Sequence, residues 1–348
     1  MQSDHPFDFF FQWHLTEKCN LHCLHCYQEQ GLFEELTFSE IKETLGEMSL
    51  MLEDWSKTYG LTFQTSINVT GGEPFLRPDL FLILEEMIQQ GYDLYLLSNG
   101  TLLDRDKARR LSRLPVRGVQ ISLEGLEKTH EALRGKGSFA KALKGIGYLV
   151  EAGIPVTINT TLSEINREQF LEMIPLAQAW GAQRLGFSRL IPAGQGALLS
   201  SHLLKSDQVR KLYQEIHSLS PQGLELVSGD PLYRQLESGP AQEDLGSIPH
   251  GGCAAGVSGL TLMADGTVTP CRRLPVPLGN VRRDSLRELW SGSPVLERLR
   301  DRNRYQGKCG RCRRWAVCRG CRAMAYAFSR DRGRTHLVGE DPQCFLEP

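Results

Sequence analysis

The sequence predicts an α/β protein: a partial (β/α)6 TIM-like barrel followed by a loop-rich C-terminal domain. Strand-like and helix-like segments alternate over the first two-thirds of the 348 residues, which indicates a parallel sheet with right-handed crossovers. Six such units are fewer than a closed eight-fold barrel requires, so an open partial barrel is expected. Beyond residue 250 the alternation ends, and cysteines and arginines dominate.

Each predicted strand is short, apolar and rich in β-forming residues, as expected of parallel strands buried on both faces. The strands cover residues 10–16, 66–70, 93–98, 118–123, 155–160 and 184–189. Ser39 is the predicted N-cap of the first helix between them, and Pro78 lies early in the second, where its missing N–H costs little. The other predicted helices cover residues 104–114, 138–152, 167–180 and 207–219.

Three regions follow from this pattern. The barrel is predicted to span residues 1–205, and the cysteine-rich domain residues 251–348. Residues 206–250 are predicted to bridge them, because Pro and Gly punctuate this stretch, for example at Pro221 and Pro240.

The composition is that of a globular protein with a formal net charge of −1, which predicts no nucleic-acid partner. No run approaches the roughly 20 apolar residues that span a bilayer, and the N-terminus lacks the basic start of a signal peptide. A cytoplasmic protein with no membrane partner is therefore expected. Ten cysteines in a reducing compartment favour metal ligation over disulfides.

Arginines are concentrated near the C-terminus, with 17 between Arg272 and Arg334. They could form a solvated basic surface. Alternatively, they could offset anionic metal clusters or receive an acidic substrate, since guanidinium groups pair well with anions.

Three cysteines follow the first strand in a C-x3-C-x2-C pattern: Cys19, Cys23 and Cys26. Three thiolates on one short loop can hold an iron–sulfur cubane and leave its fourth iron open. Zinc is the alternative, because His22 or His25 could complete a four-ligand site. The loop lies at the carboxyl end of a strand, where barrel enzymes place their chemistry.

This motif resembles the hallmark of the radical S-adenosylmethionine (SAM) superfamily. The resemblance implies that Gly71-Gly72-Glu73 receives the SAM amino group, that Ser122 lies near its carboxylate or ribose, and that His25 packs on adenine. Ser98 and Asn99 end the third strand and match residues that line the SAM pocket. Arg134 matches an arginine that contacts SAM in related enzymes.

Seven cysteines remain in the C-terminal region, enough for two metal sites. A pair of zinc knuckles is one interpretation. Their order resembles the SPASM extension of radical SAM enzymes, which implies two auxiliary clusters and three [4Fe-4S] clusters in all. By that resemblance the first auxiliary cluster takes Cys253, Cys271 and Cys321, and the second takes Cys309, Cys312, Cys318 and Cys344.

Two features depart from the family pattern. Only Arg319 and Gly320 separate Cys318 from Cys321, where the family commonly has three residues. The first auxiliary cluster also has only three cysteines, so its fourth iron is either open to substrate or bound by another side chain, for which His250 is a candidate.

The resemblance implies reductive cleavage of SAM to a 5′-deoxyadenosyl radical that abstracts hydrogen from the substrate. Residues 12–17 resemble peptide maturases of the selenobiotic or thiazole type, so modification or cross-linking of a ribosomally made precursor peptide is the preferred function. Residues 318–326 also resemble haem-type tetrapyrrole enzymes, which are the alternative, together with sulfatase maturation. A ferredoxin or flavodoxin is the expected reductant. No general acid or base is predicted, and a purely electron-transferring protein would not explain Gly71 to Glu73.

Overall fold

The computed structural model describes residues 6–28, 34–237, 246–331, 333 and 336–347. Its strands are β1 (Phe7–His14), β2 (Phe63–Thr70), β3 (Asp93–Ser98), β4 (Gly118–Ser122), β5 (Val156–Leu162), β6 (Arg184–Arg189), β7 (Glu225–Val227), β8 (Gly259–Leu262), β9 (Thr267–Thr269) and β10 (Gly279–Asn280). Its helices are α1 (Phe38–Tyr59), α2 (Leu80–Gln89), α3 (Arg105–Ser112), α4 (Glu127–Arg134), α5 (Ser138–Glu151), α6 (Met173–Ala179), α7 (Ser206–His217), α8 (Pro231–Glu237), α9 (Leu286–Gly292), α10 (Pro294–Arg300), α11 (Gly307–Arg311) and α12 (Arg322–Asp331).

One open sheet contains all ten strands, in the order β10-β9-β8-β1-β2-β3-β4-β5-β6-β7. The strands from β1 to β7 pair in parallel with their neighbours, as the crossovers of βα units require. The six predicted strands correspond to β1–β6, so the predicted α/β partial barrel is confirmed.

The first strand lies in the middle of this sheet rather than at its edge. Phe11 pairs with Ile67 of β2 on one side and with Leu260 of β8 on the other, and its side chain is fully buried. The strand that carries the cysteine loop is therefore hydrogen-bonded on both sides, and one of its partners comes from the C-terminal region.

The predicted bridging segment, residues 206–250, contains α7, β7 and α8, and β7 extends the sheet beside β6. The limits of the three regions remain a prediction. Among the described residues, no helix combines the length and apolarity needed to cross a membrane.

The predicted N-cap of the first helix is wrong by two residues. Thr37 caps α1, because its hydroxyl accepts a hydrogen bond from Glu40 N while the Glu40 carboxylate accepts one from Thr37 N at 2.7 Å. Glu40 also binds the Arg282 guanidinium at 2.6 Å, which ties α1 to the C-terminal region. The hydrogen bonds from Arg282 and from Thr37 together lower the pKa of Glu40 to about 2.

Two other predicted helices are shorter than expected. Pro74–Leu76 forms a single 3₁₀ turn, and α2 begins only after Asp79, so Pro78 precedes the helix. The predicted helix over residues 167–180 is reduced to α6. A helix that began upstream would place Pro175 in its interior, where it would remove a backbone hydrogen bond.

Candidate functional site

A cavity of about 390 Å³ opens at the carboxyl ends of the parallel strands. The loop after β1 forms one wall of this cavity, and residues at the ends of β2 to β6 form the others. The predicted site residues in its lining are Cys19, Cys23, His25, Cys26, Gly71, Gly72, Ser98, Asn99, Ser122 and Arg134. Carboxyl strand ends are the usual position for chemistry in this class of fold.

Two N–H donors face the thiols of the cysteine loop. Asn99 Nδ2 lies 3.9 Å from Cys19 Sγ, and Arg134 Nη1 lies 3.7 Å from Cys23 Sγ. Burial nevertheless raises the pKa of the thiols of Cys19, Cys23 and Cys26. Thiolates are the ligating form, so metal binding has to displace their protons.

The donors of the cysteine loop can be compared with those that an iron–sulfur cluster needs. In the described part of the chain, no three His, Cys, Asp or Glu side chains are grouped closely enough to hold one metal ion. The thiolates of a cubane each bind a different iron and stand farther apart than the ligands of a single zinc ion. The thiol donor set, with N–H groups directed at sulfur, fits a cluster.

Gly71 and Gly72 allow the cysteine loop to lie directly against the end of β2. Gly72 N donates to Thr16 O at 2.7 Å, and Glu73 N donates to Lys18 O at 2.8 Å. A Cβ on Gly71 would collide with the Thr16 carbonyl, and one on Gly72 with the Lys18 carbonyl. The two glycines are thus required for packing of the cysteine loop, in addition to any approach of a ligand.

Glu73 is fully buried and does not line the cavity. Its carboxylate accepts hydrogen bonds from Ser98 Oγ and Asn99 N, both at 2.8 Å. Burial raises the pKa of Glu73 despite these hydrogen bonds. In this structure Glu73 therefore organises the end of β3, and its contact with the SAM amino group remains a prediction.

A second buried carboxylate, Glu124, orders the opposite wall. It accepts hydrogen bonds from Arg134 at 2.5 Å and from Thr161 N at 2.7 Å, and it lies 3.2 Å from His25 Nε2. Burial opposes its ionisation, but His25 and Arg134 lower its pKa well below the ordinary value. Arg134, predicted to contact SAM, thus connects Glu124 to Cys23.

His130 packs behind this network with 1% of its surface exposed, and its Nδ1 accepts a hydrogen bond from Glu124 N. Burial and the nearby Arg134 lower its pKa from 6.5 to about 4. The folded protein keeps His130 neutral, whereas in the unfolded chain this histidine takes up a proton near pH 6.5. Titration of His130 therefore does not destabilise the fold above pH 6.5, and it lowers the free energy of unfolding as the pH falls from 6.5 towards 4. Between pH 7.5 and 5.5 we expect a loss of about 1 kcal/mol, which an H130N variant should not show.

Thermal midpoints at the two pH values, measured anaerobically, test this expectation. Asn retains an acceptor for Glu124 N but does not titrate. An H202N variant, changed at an exposed histidine, should keep the wild-type pH dependence. Equal pH dependence of H130N and wild type would contradict the lowered pKa of His130.

The seven C-terminal cysteines fall into two groups in space. Four of them line a small cavity of about 20 Å³, and the thiols of the other three interact electrostatically with one another or with Arg273. The cavity-lining set is Cys309, Cys312, Cys318 and Cys344, and the other set is Cys253, Cys271 and Cys321. This grouping corresponds to the two sets of cluster ligands that the resemblance implies. That these cysteines bind clusters remains a prediction.

The short spacing between Cys318 and Cys321 coincides with an unusual backbone. Arg319 and Gly320 both have left-handed φ values, 60° and 59°. Cys318 then lies beside Cys309 and Cys344, while Cys321 lies beside Cys253. His250, the candidate fourth ligand of the first auxiliary cluster, is exposed.

Several polar residues of the cavity were not predicted from the sequence. They are Gln120, Asn159, Thr161, Ser188, Arg189, Arg272 and Arg273. Most lie on β4, β5 and β6, where a polar residue near the end of an apolar strand is the signal that could have identified them. Burial lowers the pKa of Arg273, but the Cys321 and Cys271 thiols raise it, and the net shift is upward.

Comparisons with known proteins agree with this geometry. A model of the radical SAM superfamily matches residues 13–177, and one of an iron–sulfur cluster-binding domain, SPASM, matches residues 253–322. The AdoMet-dependent heme synthase of Methanosarcina barkeri is 32% identical, covering 97% of this chain and 96% of that protein. The mycofactocin maturase MftC of Mycobacterium tuberculosis is 29% identical, covering 95% and 81%.

A solved structure shares the fold. Streptococcus suis SuiB bound to its precursor peptide SuiA superimposes with a TM-score of 0.75 at 18% identity, covering 98% of this chain and 76% of that chain.

Proposed function

Since the chain belongs to the radical SAM superfamily and carries a SPASM iron–sulfur domain, we propose that it is a radical SAM enzyme that modifies a tetrapyrrole. The observation that carries this proposal is the similarity to an AdoMet-dependent heme synthase, which extends over 97% of this chain and 96% of that protein. The preferred substrate class thereby changes from a peptide to a tetrapyrrole.

The residues of the main cavity would hold the cofactors of the radical reaction. Cys19, Cys23 and Cys26 would bind one [4Fe-4S] cluster, and the neighbouring strand ends would bind SAM. When bound, these cofactors supply the 5′-deoxyadenosyl radical that abstracts hydrogen from the substrate. Arg134, held by Glu124, supplies a positive charge beside Cys23 and lowers the cost of its thiolate.

The C-terminal cysteines would hold two further clusters, giving three in all. A low-potential one-electron donor such as ferredoxin or flavodoxin is the proposed redox partner. The substrate would lie in the cavity between the cysteine loop and residues 272–273, since both border that space.

The proposal predicts that a tetrapyrrole both stimulates SAM cleavage and is chemically changed. Reconstituted protein should be incubated anaerobically with SAM, dithionite and iron coproporphyrin III or a related iron tetrapyrrole carboxylate. We expect several-fold more 5′-deoxyadenosine than without tetrapyrrole, together with a new tetrapyrrole mass. Unchanged mass and unchanged 5′-deoxyadenosine with every such tetrapyrrole would reject the tetrapyrrole function.

Peptide maturation is the second candidate, supported by the 29% identity to a mycofactocin maturase over 95% of this chain. The same assay separates the two functions when a precursor peptide replaces the tetrapyrrole. Stimulation by the peptide alone, with a mass change in the peptide, would favour maturation. Sulfatase maturation, the other alternative to peptide maturation, stays a prediction.

A further inference from the structure

Two consecutive arginines, Arg272 and Arg273, border the main cavity on the side of the C-terminal domain. They lie in a tight turn directly after Cys271, which is closed by a hydrogen bond from Leu274 N to Cys271 O at 2.8 Å. Across the cavity, the Arg272 guanidinium lies 5.8 Å from the centre of the Tyr27 ring, next to Cys26. The pair thus stands between the radical cysteine loop and the first auxiliary cysteines.

Other arginines of the cavity already have carboxylate partners. Arg134 binds Glu124, and Arg189 binds Asp230 and Asp341. In contrast, no described Asp or Glu side chain lies within ion-pair distance of Arg272 or Arg273, although the more distant Asp230 helps to raise the pKa of Arg273. Arg273 Nε is buried and has no hydrogen-bond acceptor among the described residues.

A buried donor without an acceptor costs about 1–3 kcal/mol, so Arg273 Nε needs an acceptor from outside the described residues. Guanidinium groups bind carboxylates through strong charge-assisted hydrogen bonds. We propose that Arg272 and Arg273 bind a carboxylate side chain of the substrate and hold it at the auxiliary-cluster end of the cavity. This inference rests on the proposed tetrapyrrole function and specifies a carboxylate-bearing tetrapyrrole.

The alternative is that the two arginines only offset the negative charge of the first auxiliary cluster. The two roles differ in one measurable respect: a substrate-binding arginine distinguishes a free carboxylate from its ester, and a charge-offsetting arginine does not.

The test measures binding by the reconstituted, SAM-loaded enzyme, with iron coproporphyrin III and its methyl ester as the two probes. Wild type is expected to bind the acid about tenfold or more tightly than the ester. The R272Q and R273Q variants should each bind the acid about tenfold more weakly and leave ester binding unchanged. R283Q is the matched control, since Arg283 is exposed and lies outside the cavity, and it should bind both probes like wild type.

Iron content and the electron paramagnetic resonance signal of the auxiliary clusters accompany each variant. If R273Q loses iron, the conclusion rests on R272Q, on R273K and on the comparison of acid with ester in wild type. Equal binding of acid and ester by wild type, or wild-type binding of the acid by iron-replete R272Q and R273Q, would overturn the carboxylate site and leave the tetrapyrrole function standing. Failure of wild type to bind either probe would reject the tetrapyrrole function and this inference together.

Discussion

Replacing Cys19, Cys23 and Cys26 together by alanine is expected to abolish reductive SAM cleavage and to remove about a third of the bound iron. The three thiols lie on one loop at the main cavity, whereas the other cysteines belong to the C-terminal region. The variant should therefore keep about eight of about twelve irons, as expected of two remaining four-iron clusters. Iron and sulfide analysis, together with 5′-deoxyadenosine formation after dithionite reduction, measures both effects.

The matched control for the triple variant is L24A, in the same loop. Leu24 is 50% exposed and does not line the cavity, so its truncation should leave SAM cleavage and iron content near wild type. Persistent 5′-deoxyadenosine production by the triple alanine variant would refute the assignment of the radical cluster. Bound zinc in place of iron in the wild type would restore the zinc alternative.

An R189M variant is expected to lose a large part of the protein's stability. Arg189 is 1% exposed and binds Asp230 at 2.7 Å, Asp341 at 2.8 Å and the Gln343 side-chain oxygen at 2.8 Å. Removing the guanidinium leaves two buried carboxylates without their cation, which typically costs about 3–5 kcal/mol. We expect the thermal midpoint to fall by roughly 5–10 °C.

The same substitution should also weaken the auxiliary clusters. Asp341 accepts a hydrogen bond from Cys321 N at 2.9 Å and from Cys344 N through its main-chain carbonyl at 3.0 Å. Without Arg189, Asp341 is no longer held in place, and its hydrogen bonds to the backbone of Cys321 and Cys344 should weaken. Iron content should therefore fall in the R189M variant.

R184M is the matched control, because Arg184 lies on the same strand but pairs with Glu225 in an exposed position. It should lower the free energy of unfolding by less than about 1 kcal/mol. Neutralising the freed carboxylates in R189M/D230N/D341N should restore part of the lost stability. Equal thermal midpoints for R189M and R184M would show that the buried ion cluster contributes nothing.

The barrel strands could be predicted well from the sequence, because buried parallel strands are continuous apolar runs. The bounds of β3 and β6 were predicted to the residue. The C-terminal strands β8, β9 and β10 were not predicted, since two to four residues carry too little periodicity to distinguish a strand from a loop. Their addition to the barrel sheet depends on pairing with β1, which no local pattern encodes.

In the candidate site, too, local motifs could be predicted from the sequence and contacts between distant residues could not. Cysteine spacing and the glycine pair could be identified because their chemistry is tied to short motifs. The partners of Glu73, Glu124 and Arg189 could not, since each hydrogen bond joins residues that are distant in sequence and meet only at the strand ends. The sequence therefore predicts which side chains belong to the site, whereas the hydrogen-bond partners of each side chain require the three-dimensional structure.

The central position of β1 has a consequence for biosynthesis. Phe10 pairs with Gly259, so one side of the first strand to leave the ribosome has no hydrogen-bonding partner until β8 has been made. At roughly 5–20 residues per second, that interval lasts about 10–50 s. During that interval, the unpaired N–H and C=O groups of β1 beside the cysteine loop are open to pairing with other nascent chains. Completion of the C-terminal region thus closes the edge of the strand that carries the radical cysteines, and a chain that ends before β8 would leave this edge permanently exposed.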